Sequence, residues 1–486
     1  MALNIDLFDT RGRFLELDAS PYGIGYGSGL GAPEVNNIWS DPLGGVSRLV
    51  HYNHTKRVLE LPITIQSSTS LDDWIDNYNN LAGLLRDAKD RRSEAYLAVQ
   101  LNGMTNTTIF DVLGGEIPDA QYFDVPMKNT SAPHAAFRTV TLYLKPYGRN
   151  QSLTEDTSGT LNNFGGASSV SPAYIQTSPV GDRETPAKLI WQPSTTWRWV
   201  WIARRTRGNV SNFIPVLQCE EGTFTGYVVT DIDASGSIAY APAAVANSVG
   251  GNVGRVTYTA TATVTNNPLI EWEINDNLPD FYGRHRVLLR IDDAVNSADN
   301  TITTLKFRLR YGGDGTAYLT AKGEVDISGT DDLGSFPCVL DLGVIEITEP
   351  PDGAIMTSFK FELDITIQDA TTVTIDLDCI TLLPCDEFMA FAYLSAVSGS
   401  QDKLILDAMS AYPAFLLDTG DVAQPETFSA ESLLPPPYVQ PGTDNLWIAV
   451  FGEGAISGEQ YLGSSEANTY TIKLQYFPLY DLARGA

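Results

Sequence analysis

The chain has 486 residues, which at roughly 150 residues per domain is room for about three domains. Its 31 Lys and Arg against 59 Asp and Glu leave a net charge of −28, a field that repels polyanions and argues against a duplex-binding surface. With 43% hydrophobic and 19% charged residues the chain is built to fold rather than to stay disordered, and no apolar run approaches the roughly 20 residues that span a bilayer.

The acid is unevenly spread. Residues 1–150 carry a net charge of −4, residues 151–390 carry −16 and residues 391–486 carry −8. The start, Met1-Ala-Leu-Asn-Ile-Asp, has no basic segment followed by an apolar run, so no secretory signal is expected. Cys219, Cys338, Cys379 and Cys385 are too few and too scattered for a disulfide framework, and their spacing fits no zinc pattern. Nothing in the sequence asks for a cofactor.

Strand patterns dominate. In Arg57 to Gln66 the residues Leu59, Leu61, Ile63 and Ile65 recur at period two, as do Val140, Leu142 and Leu144 further on. Between them the spacing of Leu71, Trp74, Tyr78, Leu81, Leu85 and Ala88 predicts one helix over 70–88. Ser70 is its expected N-cap, Asp72 and Asp73 suit the positive end of its dipole, and Lys89, Arg91 and Arg92 suit the other. Two more strands follow, around Ala95 and Thr108. The stretch 151–181 is rich in Ser, Thr, Asn, Gly and Pro and reads as a linker or long loop. Residues 182–388 hold many short strand-like runs with turns between them, the pattern of an antiparallel sandwich, and 389–486 is again β. The expected class is all-β dominated: a β-sandwich with one flanking α-helix over 1–150, a second sandwich over 182–388, and a C-terminal β segment.

Motifs for catalysis are weak. The alternating glycines from Gly23 to Gly31 lack the Lys-Ser/Thr and the helix of a phosphate loop. The pairs Asp231/Asp233, Asp292/Asp293, Asp331/Asp332 and Asp376/Asp378 offer acid–base or calcium chemistry in principle, but carboxylates are common throughout and no spacing matches an EF-hand loop. No metal site and no enzymatic activity are expected. The aromatics say more. Trp197, Trp199 and Trp201 alternate along one strand, with Arg198 between them and Arg204, Arg205 and Arg207 beyond. Exposed, such a row with Trp197, Arg198, Trp199, Trp201 and Arg204 suits stacking on sugar rings; turned inward, it is a core strand.

The order of strand, helix and three strands resembles the N-terminal domain of siphophage distal tail proteins. The segments that carry the resemblance are Arg57-Val-Leu-Glu-Leu-Pro-Ile-Thr-Ile and Ser70-Leu-Asp-Asp-Trp-Ile-Asp-Asn-Tyr-Asn-Asn-Leu. Val439-Gln-Pro-Gly-Thr-Asp-Asn-Leu-Trp is similar to a hairpin that recurs in these tail proteins. In the middle, Gly283-Arg-His-Arg-Val-Leu-Leu-Arg-Ile, Asp341-Leu-Gly-Val-Ile and Leu377-Asp-Cys-Ile-Thr-Leu-Leu-Pro-Cys-Asp resemble strands of a galactose-binding-type jelly roll. The resemblance implies a virion protein that forms a homo-oligomeric ring, a hexamer by analogy. Its partners would be the tail tube, hub or fibre proteins and a host-surface glycan, with no specific nucleic acid and no membrane insertion. The alternative is a non-catalytic glycan-binding module protein.

Overall fold

The computed structural model describes the chain apart from residues 1–2, 26–34, 41–47, 68, 102–106, 118–133, 152–153, 158–161, 164–172, 194–195, 221–222, 225–226, 233–236, 246–247, 260–261, 299–301, 315, 329–335, 351–355, 399–401, 410–413, 420–421, 425–432, 435–436, 453–455, 458–459, 463–469 and 481–486. It is dominated by antiparallel sheets, as the sequence patterning predicts, and holds one α-helix among the described residues. Two units emerge. The first takes Met1–Thr154, Val180–Thr185 and Phe477–Ala486, and the second takes Glu155–Pro179 and Pro186–Tyr476. The second unit is therefore an insertion into the first.

In the first unit the neighbouring strands run Phe14–Glu16, Leu3–Asp9, Ala95–Leu101, Thr108–Glu116, His134–Leu144, Arg57–Ser67 and Tyr22–Ile24. Gly148–Asn150 joins Thr108–Glu116 to Leu479–Tyr480, so residues from both ends of the sequence share one nine-stranded sheet. Alternation along Arg57–Ser67 buries Leu59, Leu61, Ile63 and Ile65 on one face. Onto that face packs the helix, Leu71–Lys89, through Leu81, Leu84, Leu85 and Ala88. Ser70 caps it, its Oγ accepting from the Asp73 amide at 3.1 Å, and Trp74 Nε1 donates to the Ile65 carbonyl at 2.9 Å. The helix stops where Arg91 takes a left-handed φ of 56° and the Arg92 amide returns to the Asp87 carbonyl. A separate hairpin pairs Val35–Ser40 with Arg48–His54.

The second unit holds two sandwiches. One pairs a sheet built on Thr185–Pro193, Lys403–Asp407 and Tyr470–Tyr476 with a sheet built on Ala173–Thr177, Trp197–Arg205, Phe388–Ser398 and Asn445–Gly452. Its core includes Trp191, Trp197, Val200, Ile202, Trp447 and Leu474. The other occupies the chain between Val216 and Pro384, and its strands alternate between two sheets as in a jelly roll. The inner sheet carries Asn252–Tyr258, Gly283–Asn296, Cys338–Ile347 and Val373–Pro384. The outer sheet carries Tyr227–Asp231, Val264–Ile274, Phe359–Gln368 and Thr304–Gly313.

These pairings cut across the segments expected at 182–388 and 389–486. Trp197–Arg205 lies in the first segment by number, but its partners are Phe388–Ser398 and Asn445–Gly452 of the other. The strands beyond 388 are β, as expected; Phe388–Ser398 and Asn445–Gly452 pair with Trp197–Arg205, which precedes the jelly roll, while Gln460–Leu462 joins Cys338–Ile347 of its inner sheet. Within the expected linker, Ala173–Thr177 is a strand paired with Asn445–Gly452.

Candidate functional site

The tryptophan row is inside. Trp197, Trp199 and Trp201 are each 0–1% exposed, so no indole face is free for a sugar ring to stack on, and the core alternative describes their placement. Nor do all three share a face. A register shift between Trp197 and Trp199 turns the first indole over: Trp197 packs with Val200 and Ile202 in the sandwich core, while Trp199, Trp201 and Ala203 face the jelly roll. Trp197 meets Trp191 edge-on at 4.7 Å and 90°, and Trp201 stacks on Phe391 at 4.2 Å. The strand is thus buried on both sides, which explains its apolar run of Trp, Val, Trp, Ile and Ala.

The arginines beside the row are fixing groups. Arg198 is half-buried. Neighbours on a strand point to opposite faces, and Arg204 and Arg205 do so. Arg204 donates to the Tyr438 carbonyl and sits 3.7 Å from Glu387 and 5.8 Å from the centre of the Trp447 ring. Arg205 donates to the carbonyls of Asp280 and Tyr282 and lies over Phe213 at 4.5 Å, and burial lowers its pKa to about 10. Next to it His285, fully buried and stacked on Phe213, is pushed down to about 3 by burial and by the Arg205 charge.

Several carboxylate pairs are structural. Asp376 binds Arg255 through two bonds of 2.7 Å, and Asp378 accepts from Arg290 at 2.6 Å and from the Val249 amide at 2.9 Å. Burial nevertheless raises Asp378 to about 7. Asp292 lies 3.5 Å from Arg290. Asp233, Asp331, Asp332, Gly27, Gly29 and Gly31 lie outside the described residues. Among the described residues no three His, Cys, Asp or Glu side chains gather as a metal site.

A different surface concentrates polar chemistry: the outward face of the outer jelly-roll sheet. Alternation along Thr304–Gly313 buries Leu305, Phe307 and Leu309 and turns Lys306, Arg308 and Arg310 outward. On the adjacent strand Phe359–Gln368 the outward set is Lys360, Glu362 and Asp364, with Arg308 opposite Asp364 and Arg310 opposite Glu362. The Asp364 side chain is 0% exposed and holds both guanidiniums. Arg308 reaches it through Nε at 2.9 Å and through Nη2; Arg310 reaches it through Nε at 2.8 Å and Nη2 at 3.0 Å and also pairs with Glu362. One strand over, Glu271 accepts from Lys360 Nζ at 3.0 Å and from the Tyr318 hydroxyl at 3.1 Å. Arg310 lies over the Tyr318 ring at 5.5 Å. This basic stripe thus meets acidic partners on its own sheet. The alternation Lys306-x-Arg308-x-Arg310 is a local pattern of the sequence. Its pairing with Asp364 and Tyr318 is not, because which strand lies beside which is not written in local spacing.

No family model matches the chain, and no characterised protein sequence does. Among solved structures, the Dit protein of phage SPP1, described as a hub adsorption apparatus in phages infecting Gram-positive bacteria, is similar at 7% identity and a TM-score of 0.36, covering 98% of each chain. A chain of the phage p2 baseplate is similar at 9% identity and a TM-score of 0.27, covering 97% of this chain and 98% of that one. A tandem CBM22 domain from Paenibacillus barcinonensis is similar at 9% identity and a TM-score of 0.23, covering 56% of this chain and all of that one. Scores this low do not establish a common fold.

Proposed function

We propose that this chain is a structural protein of a tailed-phage virion, a distal-tail ring component that joins the tail tube to the attachment apparatus and whose inserted jelly roll touches host-surface glycans. One observation carries the reading. The strand, helix and three strands on which the sequence resemblance rests, 57–67, 71–89, 95–101, 108–116 and 134–144, form a single sheet-and-helix module with its own core. Leu3–Asp9 and Leu479–Tyr480 lie in that same sheet, so the rest of the chain is carried as an insertion. A ring-forming base with an inserted outward module has this chain topology. Closed rings are made from heterologous interfaces, and assembly rather than turnover is the mechanism.

Charge fits the same role. A conduit for DNA must not trap the passing polyanion; residues 1–150 of the base, at a net charge of −4, carry no cationic excess to do so, while most of the −28 lies further along the chain. Electron microscopy of the purified protein and of virions tests the proposal. Rings, sixfold by family analogy, are expected; a strictly monomeric particle at high concentration, with no ring in any tail map, overturns it.

A further inference from the structure

We propose that the outward face of the outer jelly-roll sheet, centred on Arg308, Arg310 and Tyr318, is a binding site for neutral glycan chains. This rests on the glycan contact proposed above and names its surface. Three features of the face carry it. First, both guanidiniums are locked by Asp364 through Nε and Nη2, while the Nη1 amines make no hydrogen bond among the described residues. Each of these side chains is 26% exposed, so the uncommitted donors sit at the surface with their orientation already fixed. Donors held this way lose little freedom on binding, which is the main cost of recognising a flexible ligand.

Second, acceptors and an aromatic ring lie beside those donors. Glu362 and Glu271 flank Arg310 and Lys360, and the Tyr318 ring is held at its hydroxyl by Glu271 and on one side by Arg310. Adjacent Leu319 is 60% exposed. A sugar ring asks for this combination: vicinal hydroxyls that donate to a carboxylate and accept from an Arg amine, and a C–H face that rests on an aromatic or aliphatic side chain. Third, every cation of the face is matched by carboxylates, which are in modest excess. Lys306, Arg308, Arg310 and Lys360 face Glu324, Asp326, Asp364, Glu362, Glu271 and Glu273. A sulfated or uronic-acid chain gains nothing from that balance, whereas a neutral chain meets donors and acceptors in similar number.

The test uses the full chain on an array of neutral and acidic oligosaccharides, followed by calorimetric titration of the best neutral binder. Two variants accompany it. Arg310→Lys keeps a cation beside Asp364 and Glu362 but removes the fork, and Tyr318→Leu removes the ring and its bond to Glu271 while leaving every charged side chain in place. Each is expected to weaken binding at least about tenfold, the loss of one good polar or stacking contact, with the melting temperature close to that of the unaltered protein. If Arg310→Lys fails to fold, Tyr318→Leu decides alone. Unchanged affinity in the variants overturns the site but leaves glycan contact standing, and stronger binding of acidic chains overturns the neutral class. Binding of no glycan at all overturns both the site and the glycan contact, while ring formation is judged separately by microscopy.

Discussion

The Arg286 guanidinium lies 4.4 Å from the centre of the Trp201 ring, with Arg286 itself held by Asp341 at 2.8 Å. This contact joins the jelly roll to the sandwich into which it is inserted, on the face of Trp197–Arg205 that a solvent-exposed aromatic row would have occupied. Trp201→Ala removes the stack on Phe391 and the cover over Arg286 together. It is expected to destabilise the protein by about 3–5 kcal/mol in urea unfolding, the range for emptying a large aromatic site. Half-buried Arg198→Ala should cost far less, about 0.5 kcal/mol. Equal losses in the two variants would contradict the assignment of the row to the core.

At the edge of the N-terminal sheet Arg13 bridges two acids, Asp9 at 2.5 Å and Asp87 of the helix at 2.8 Å. The Asp9 side chain is fully buried, and although burial alone raises its pKa, bonds from Arg13 hold it below the ordinary carboxylate value. Arg13→Met would leave that buried charge uncompensated. The expected loss is about 2 kcal/mol, less than for a fully buried pair because Arg13 is 27% exposed. Because the folded pKa is lowered, the contribution of Asp9 is present above the ordinary carboxylate pKa and fades as pH falls through the folded one. Unfolding of the variant should therefore show a weaker acid dependence than that of the unaltered protein.

Local signals were the legible ones. The helix announced itself through the spacing of Leu71, Trp74, Tyr78, Leu81, Leu85 and Ala88 and through Ser70, because cap and stripe are both short-range features; its bounds, 71–89, sit within a residue of those expected. The strands of the jelly roll were likewise legible from turn spacing. What the sequence withheld was pairing. Nothing in Trp197-Arg-Trp-Val-Trp says that its neighbours lie near Phe391 and Val450, about two hundred residues away or more, or that a register shift turns Trp197 to the opposite face. For the same reason the Arg308–Asp364 pair became visible only once the two strands were side by side.

Close backbone approach gives a further prediction. A Cβ placed on Gly254 would come within 2.3 Å of both the Cys219 carbonyl and the Tyr240 hydroxyl. One of the two contacts is backbone, so the clash cannot be relieved by a rotamer change alone. Gly254→Ala should cost about 1–3 kcal/mol, as overpacking of a filled interior does. Gly251→Ala, with nothing within 4 Å but a φ of 83°, should cost less, through backbone strain alone. Urea midpoints of the two variants give the comparison.

His285 sets a pH dependence that belongs to the jelly roll. Its ring is 0% exposed, its Nδ1 meets the Gly283 carbonyl at 3.1 Å and its Nε2 has no hydrogen-bond partner among the described residues. Burial and Arg205 hold the imidazole neutral down to about 3, whereas the unfolded chain takes up a proton near the ordinary histidine value of 6.5. Below pH 6.5 the unfolded state binds the extra proton, so the neutral folded ring becomes a growing liability as pH falls towards about 3. The slope is about 1.4 kcal/mol per pH unit, or about 3 kcal/mol between pH 6.5 and about pH 4. His285→Phe keeps the stack on Phe213 and cannot titrate. Its baseline stability falls with the lost hydrogen bond, but its unfolding free energy should drop less steeply with acid than that of the unaltered protein. Parallel curves for the two proteins across that window would show that His285 is protonated in the fold and reject its burial as a neutral ring.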